Sequence, residues 1–177
     1  MTATEFEAKL LDVDPEAMAE LLAVAGAEHL GERFQRRYVY DIPGRSDAWV
    51  RLRDTGVEIT LCVKEVHSDG IDGVVETETT VGDFDAADTL LGKLGYRPKA
   101  YQENRRSSWR LGGAAIEIDR WPLIPSYLEI EGDSVEHVHA TALALGFGLE
   151  QLTSESTTSV YRRYGIDIEA LPRLTFD

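Results

Sequence analysis

The sequence predicts an α+β fold, an antiparallel sheet or closed β-barrel with helices packed against its outside. Three observations carry this expectation. Most of the chain alternates with period two, the mark of strands with two unlike faces. Three short helical segments interrupt that pattern, each placed after a strand carrying Glu-x-Glu: Glu5/Glu7, Glu76/Glu78 and Glu129/Glu131. A Leu-Gly pair then follows each helix, at Leu30-Gly31, Leu94-Gly95 and Leu145-Gly146. Glycine just past a helix supplies the left-handed cap. So few helices cannot provide the crossovers of a parallel sheet.

The elements follow in order. Strands are predicted at 4–11, 34–41, 48–54, 57–65, 74–81, 99–110, 114–120 and 126–132, with a further one near 156–164. The first helix opens at Asp14-Pro15, a cap followed by proline at the first helical position, and runs to about His29. The second opens near Asp83 or Asp85 and carries Leu90, Leu91 and Leu94 at helical spacing. The third opens near Asp133-Ser134 and carries Val135, Val138, Ala142 and Leu145. Residues 66–73 have the Gly/Asp chemistry of a turn. No linker-like stretch divides the chain, so residues 1–177 are read as a single domain.

Composition bounds the partners. A formal net charge of -14 argues against nucleic acid or an anionic membrane as the main partner. It leaves room for an anionic small molecule, because a local basic cluster or bound cations can reverse the field at one site. Cys62 is the single cysteine, which fits a reducing compartment. Met1–Glu5 shows neither the basic start nor the apolar stretch of a signal peptide, and no apolar run approaches membrane-spanning length. The expectation is a cytoplasmic protein. His29, His67, His137 and His139 form no metal-ligand pattern, and no Gly-rich phosphate loop is present.

The polar strand faces carry the chemistry. Glu5, Glu7 and Lys9 share one face, with Phe6, Ala8 and Leu10 on the other. Arg51 and Arg53 lie opposite Val50 and Leu52. Lys64 and Cys62 alternate with Leu61 and Val63. Glu117 and Asp119 alternate with Ile116 and Ile118, and Glu129 and Glu131 with Leu128 and Ile130. Two geometries satisfy the pattern. Either the charged faces meet water, or the sheet closes and they meet one another inside. Closure brings like charges together at a cost of several kcal/mol unless cations intervene. A closed sheet of this kind therefore calls for a polyanion bridged by divalent cations.

These residues resemble a known family. Glu5-Phe6-Glu7-Ala8-Lys9 is similar to the Glu-x-Glu-x-Lys signature of the CYTH, or triphosphate tunnel metalloenzyme, superfamily. Further matches follow in the family's order: Tyr40-Asp41, Arg51-x-Arg53, Lys64, Glu76-x-Glu78, Arg105-Arg106 before Trp109, Glu117-x-Asp119, and Leu128-Glu129-Ile130-Glu131-Gly132. The resemblance implies an eight-stranded antiparallel barrel forming a tunnel. It implies Mg2+ or Mn2+ held by Glu5, Glu7, Glu129 and Glu131, with Glu117 and Asp119 as further metal ligands. It implies a triphosphate-containing small molecule gripped by Lys9, Arg51, Arg53, Lys64, Arg105 and Arg106, and a catalytic group of Lys9, Glu76 and Glu78. A homodimer is compatible with it.

Two departures stand out. The family often shows Lys-x-Arg where this chain has Asn104-Arg105-Arg106, and neighbouring residues on a regular strand face opposite ways. Arg37 stands where an acidic residue is common, so only Tyr40 is carried over from strand 34–41.

The implied reaction is metal-dependent hydrolysis of inorganic tripolyphosphate or of an organic or nucleoside triphosphate. The alternative is the class IV adenylyl cyclase reaction, ATP to cyclic AMP and pyrophosphate. Trp121-Pro122-Leu123-Ile124-Pro125 resembles bacterial members labelled as such cyclases. A further alternative is a non-catalytic triphosphate or polyphosphate binder. Hydrolysis is placed first because it demands less positioning of a base.

Overall fold

The computed structural model describes residues 2–176. Among them eight long strands close a barrel: β1 (Thr2–Leu10), β2 (Glu28–Ile42), β3 (Arg45–Asp54), β4 (Ile59–Val66), β5 (Val74–Val81), β6 (Pro98–Leu111), β7 (Ala114–Arg120) and β8 (Tyr127–Gly132). The order around the barrel is β1-β5-β4-β3-β2-β6-β7-β8, and β8 returns to β1. Every one of these pairings is antiparallel. Two short strands extend it: β9 (Leu152–Thr153) pairs with β1, and β10 (Arg173–Leu174) lies parallel to β6.

Four α-helices of the described residues lie outside: α1 (Pro15–Val24), α2 (Phe84–Lys93), α3 (Val135–Ala144) and α4 (Thr157–Arg163). Asp14, Asp83, Ser134 and Ser156 cap their first turns through side-chain oxygens. The apolar strand faces that the alternation predicts are the faces the helices cover. Ala8, Leu10, Ile116, Ile118, Leu128 and Ile130 pack with Met18 and Leu22 of α1 and Val138 and Ala142 of α3. Tyr40, Val50 and Leu52 pack with Phe84 and Leu91 of α2. Each large side chain buried this way contributes roughly 1.5–3 kcal/mol. With their apolar faces so occupied, the charged faces of the same strands turn inward.

Two expectations are corrected. α1 ends at Val24, not near His29, and its left-handed residue is Gly26. Leu30-Gly31 instead lies in β2, where the register with β6 shifts between His29 and Gly31. Residues near 156–164 form α4, not a strand. Tertiary burial decides this segment: Tyr161 reaches the cluster of Trp121, Tyr127, Ile168 and Leu174, and its hydroxyl donates to the Pro122 carbonyl at 2.7 Å. No helix of the described residues is long and apolar enough to cross a membrane.

Candidate functional site

Inside the barrel lies a cavity of about 250 Å³. Six carboxylates face it: Glu5, Glu7, Glu76, Glu78, Glu129 and Glu131. Six cationic side chains face it as well: Lys9, Arg37, Arg51, Arg53, Lys64 and Arg106. Trp121, Tyr127 and Thr157 complete the wall.

Strand register sets the pairing. Lys9 sits opposite Glu129 in the β1–β8 ladder, and its Nζ lies 2.6 Å from Glu7 and 3.2 Å from Glu129. Burial alone would lower the Lys9 pKa, but Glu129 and Glu7 more than offset it and raise it. Lys64, opposite Glu76 in the β4–β5 ladder, bridges Glu76 and Glu5 at 2.8 Å each. Arg51 reaches Glu76 at 3.0 Å and Glu78 at 3.2 Å. Arg106 meets Asp119 at 2.5 Å and Glu129 at 3.0 Å.

The carboxylates differ sharply. Burial works to raise Glu129, but Lys9 and Arg106 hold its carboxyl well below the usual range. Glu5 is raised by burial and by Glu7 and Glu76, against Lys64. Glu131 is raised by burial and by Glu129 and Glu7. Glu7 and Glu131 are direct cross-strand partners. Like charges so placed destabilise the pair. Hard carboxylate oxygens converging at a shared site are the donor set of Mg2+ or Mn2+. Glu5, Glu7, Glu129 and Glu131 supply such oxygens from β1 and β8. Among the described residues, the group of three whose ligand atoms come within 4.8 Å of one another is Cys62, Glu76 and Glu78; Arg51 and Lys64 pair with its carboxylates, just as Lys64 pairs with Glu5 and Lys9 with Glu7.

The structure brings together Glu5, Glu7, Lys9, Arg51, Arg53, Lys64, Glu76, Glu78, Arg106, Glu129 and Glu131. It sets others apart. Arg105 faces outward, its guanidinium 5.4 Å from the Phe176 ring, while Asn104 and Arg106 turn in. Glu117 and Asp119 point inward but do not line the cavity. Asp119 is fully buried behind Arg106 and Asn104 and accepts from both. Glu117, opposite Glu129, is pushed up to about 7 by burial, against Arg106. Tyr40 lies on the outer face, donating to Asp88 of α2 at 2.8 Å.

Sequence reading missed Arg37. Its inward direction was available in the phase of β2, because Tyr38 and Tyr40 are the residues that pack outward. Arg37 donates to Asn104, so the positive charge lacking at position 104 comes from the next strand.

A CYTH domain model matches residues 3–164, and the chain belongs to the CYTH domain family. That family includes triphosphatases and adenylyl cyclases. Among solved structures, a conserved hypothetical protein from Pyrococcus furiosus is similar at 22% identity and a TM-score of 0.75, over 87% of this chain and 98% of that one. A protein from Vibrio parahaemolyticus described as a candidate adenylate cyclase is 18% identical with a TM-score of 0.74, over 90% and 98%. A Hippeastrum protein described as a candidate adenylyl cyclase with a dominant triphosphatase activity is 19% identical with a TM-score of 0.59, over 91% and 96%. These likenesses show the fold. No curated protein matches the chain at a significant level.

Proposed function

We propose that this chain hydrolyses a triphosphate inside the barrel with the help of a divalent metal ion. The observation that carries the reading is the convergence of six acidic and six basic side chains on the wall of one small cavity. Both signs of charge meet there, so the arginines and lysines can take a polyanion while the carboxylates take a cation.

The basic side chains bind and orient the phosphates. Arg51, Arg53 and Arg106 offer planar forks suited to phosphate oxygens, and Lys9 and Lys64 add point charges. Glu5, Glu7, Glu129 and Glu131 are the residues that would hold Mg2+ or Mn2+. When bound, the ion neutralises phosphate oxygens and favours attack at phosphorus. Glu76 and Glu78, fixed by Arg51 and Lys64, are acceptors that orient the attacking water. Water attacks the terminal phosphorus, the bridging P–O bond breaks, and orthophosphate leaves the shortened chain.

Two features favour hydrolysis over cyclisation of ATP. Pockets for drug-sized ligands run to roughly 300–1,000 Å³, and about 250 Å³ suits a triphosphate chain better than a whole nucleotide. Trp121, the candidate for stacking on a base, is 5% exposed and carries the Arg37 guanidinium 4.6 Å from its ring centre.

The test is incubation with tripolyphosphate, thiamine triphosphate and ATP, each with Mg2+ and with Mn2+. Phosphate release is expected, fastest with tripolyphosphate. Cyclic AMP from ATP would replace hydrolysis by cyclisation, and tight binding without turnover would make the chain a binder.

A further inference from the structure

The cationic side chains of the cavity are unequally matched. Lys9, Arg51, Lys64 and Arg106 each lie within 3.2 Å of two carboxylates. Arg37 has none at ion-pair distance among the described residues. Its Nη2 donates to the side-chain carbonyls of Asn104 and, at 3.4 Å, Gln35, and its guanidinium lies over the Trp121 ring. These partners are neutral, so they aim the group without quenching its charge. Arg53 has one distant partner, Glu78 at 3.6 Å.

The two arginines are direct partners in the β2–β3 ladder. Both line the cavity. The Nε of each is buried without a hydrogen-bond partner. Like charges directly opposite destabilise a strand pair, and a buried cation without a counter-ion is costlier still. The electrostatics agree. Burial, then Arg53 and Arg51, bring Arg37 down to about 9, and burial, then Arg51 and Arg106, bring Arg53 down to about 10. An anion seated between them would remove both penalties.

We propose that Arg37 and Arg53 form a subsite for the terminal phosphate of the bound polyphosphate, with Arg37 as the residue that sets the preference for a free chain end. The inference rests on the triphosphate reading above and adds the direction in which the substrate lies. A terminal phosphate carries more negative charge than an internal one. It therefore belongs where the positive charge is least neutralised, and the internal phosphates belong with the cations already shared among carboxylates.

The test compares linear tripolyphosphate with cyclic trimetaphosphate, which has three phosphates and no terminal group. Calorimetric affinities are measured in metal-free buffer and again with Mg2+. Arg37→Gln is expected to weaken tripolyphosphate binding by about tenfold or more, the scale of a lost charged hydrogen bond. Its loss for trimetaphosphate should be much smaller, and Arg105→Gln, on the outer surface, should change neither. Equal loss for both ligands, or no loss for tripolyphosphate, overturns the subsite. Should Arg37→Gln not fold, Arg37→Lys is measured in the same way. It keeps the charge and loses the fork, so a loss confined to the linear ligand supports the proposal and an equal loss overturns it. Turnover is not read in this experiment. Selective binding without hydrolysis would sink the hydrolytic reading and keep the subsite, whereas wild-type protein that binds neither ligand would sink both.

Discussion

Asp119 grips Arg106 across the β6–β7 ladder with both carboxylate oxygens, the guanidinium Nε donating to Oδ1 at 2.9 Å and Nη2 to Oδ2 at 2.5 Å. Asn104 donates to the same Oδ1 at 2.9 Å. The aspartate is fully buried, so it acts as the fixture that aims Arg106 at the cavity. Asp119→Ala leaves an arginine buried and half-paired. The expected loss is about 3–5 kcal/mol of unfolding free energy in a urea titration. In assays with tripolyphosphate, KM should also rise. An unchanged urea midpoint would show that water already reaches the pair.

Lys9 is 1% exposed and shared between Glu7 and Glu129. Lys9→Ala should abolish turnover, and it should also lower the melting temperature, because Glu7 loses its ion-pair partner and buried Glu129 is left with Arg106. The same loss creates a stronger demand for a divalent ion. Added Mg2+ should therefore raise the melting temperature of the variant more than that of wild type. An equal rise in both would separate Lys9 from the metal-binding carboxylates.

Glu117 gives a pH signature. Its Oε2 is buried without a hydrogen-bond partner, and burial pushes its carboxyl up to about 7, with Arg106 pulling the other way. The folded state thus holds this proton more tightly than the unfolded chain does. Stability from this group is fully present below the ordinary glutamate value and falls as pH rises through 7. In metal-free buffer Glu117→Gln should melt above wild type at pH 8, and the two should converge near pH 4. Coincident curves at pH 8 would mean that the carboxylate finds a partner when charged.

Ligand binding should be visible without any assay of turnover. At a ligand concentration one hundred times Kd, stabilisation is about 2.7 kcal/mol. For a chain of this size that corresponds to roughly 5–10 °C in melting temperature. Tripolyphosphate with Mn2+ is expected to give such a shift, and excess chelator is expected to reverse the metal-dependent part. A flat response to both ligands would remove the case for a functional cavity.

Much of this architecture is legible in the residues. Glu5/Glu7, Glu76/Glu78 and Glu129/Glu131 alternate with apolar partners, and the covered side of each strand tells which side is enclosed. Phase also settles Arg105 against Arg106, once Asn104 is seen to face in. The errors arise where local signals compete. Ala25-Gly26 and Leu30-Gly31 are both plausible helix ends, and only pairing of Glu28 and His29 with β6 makes the earlier one correct. The β-branched and aromatic residues of 157–163 favour a strand on propensity, yet Val160 and Tyr161 are buried on one side of a short helix. Arg37 was obscured because its role depends on Asn104, sixty-seven positions away, and on Arg53 opposite.

The placement of β1 between β5 and β8 has a consequence for how the molecule comes into being. During synthesis β1 emerges before β8, and the segment that supplies Glu129 leaves the ribosome far later. Until then Lys9 and its neighbours remain in water, and the wall of the barrel stands open at that seam. Closure is thus a late, long-range event, of the kind that slows folding. A nascent chain truncated before Tyr127 cannot assemble the charged interior, so acquisition of ligand binding should coincide with release of the last barrel strand from the exit tunnel.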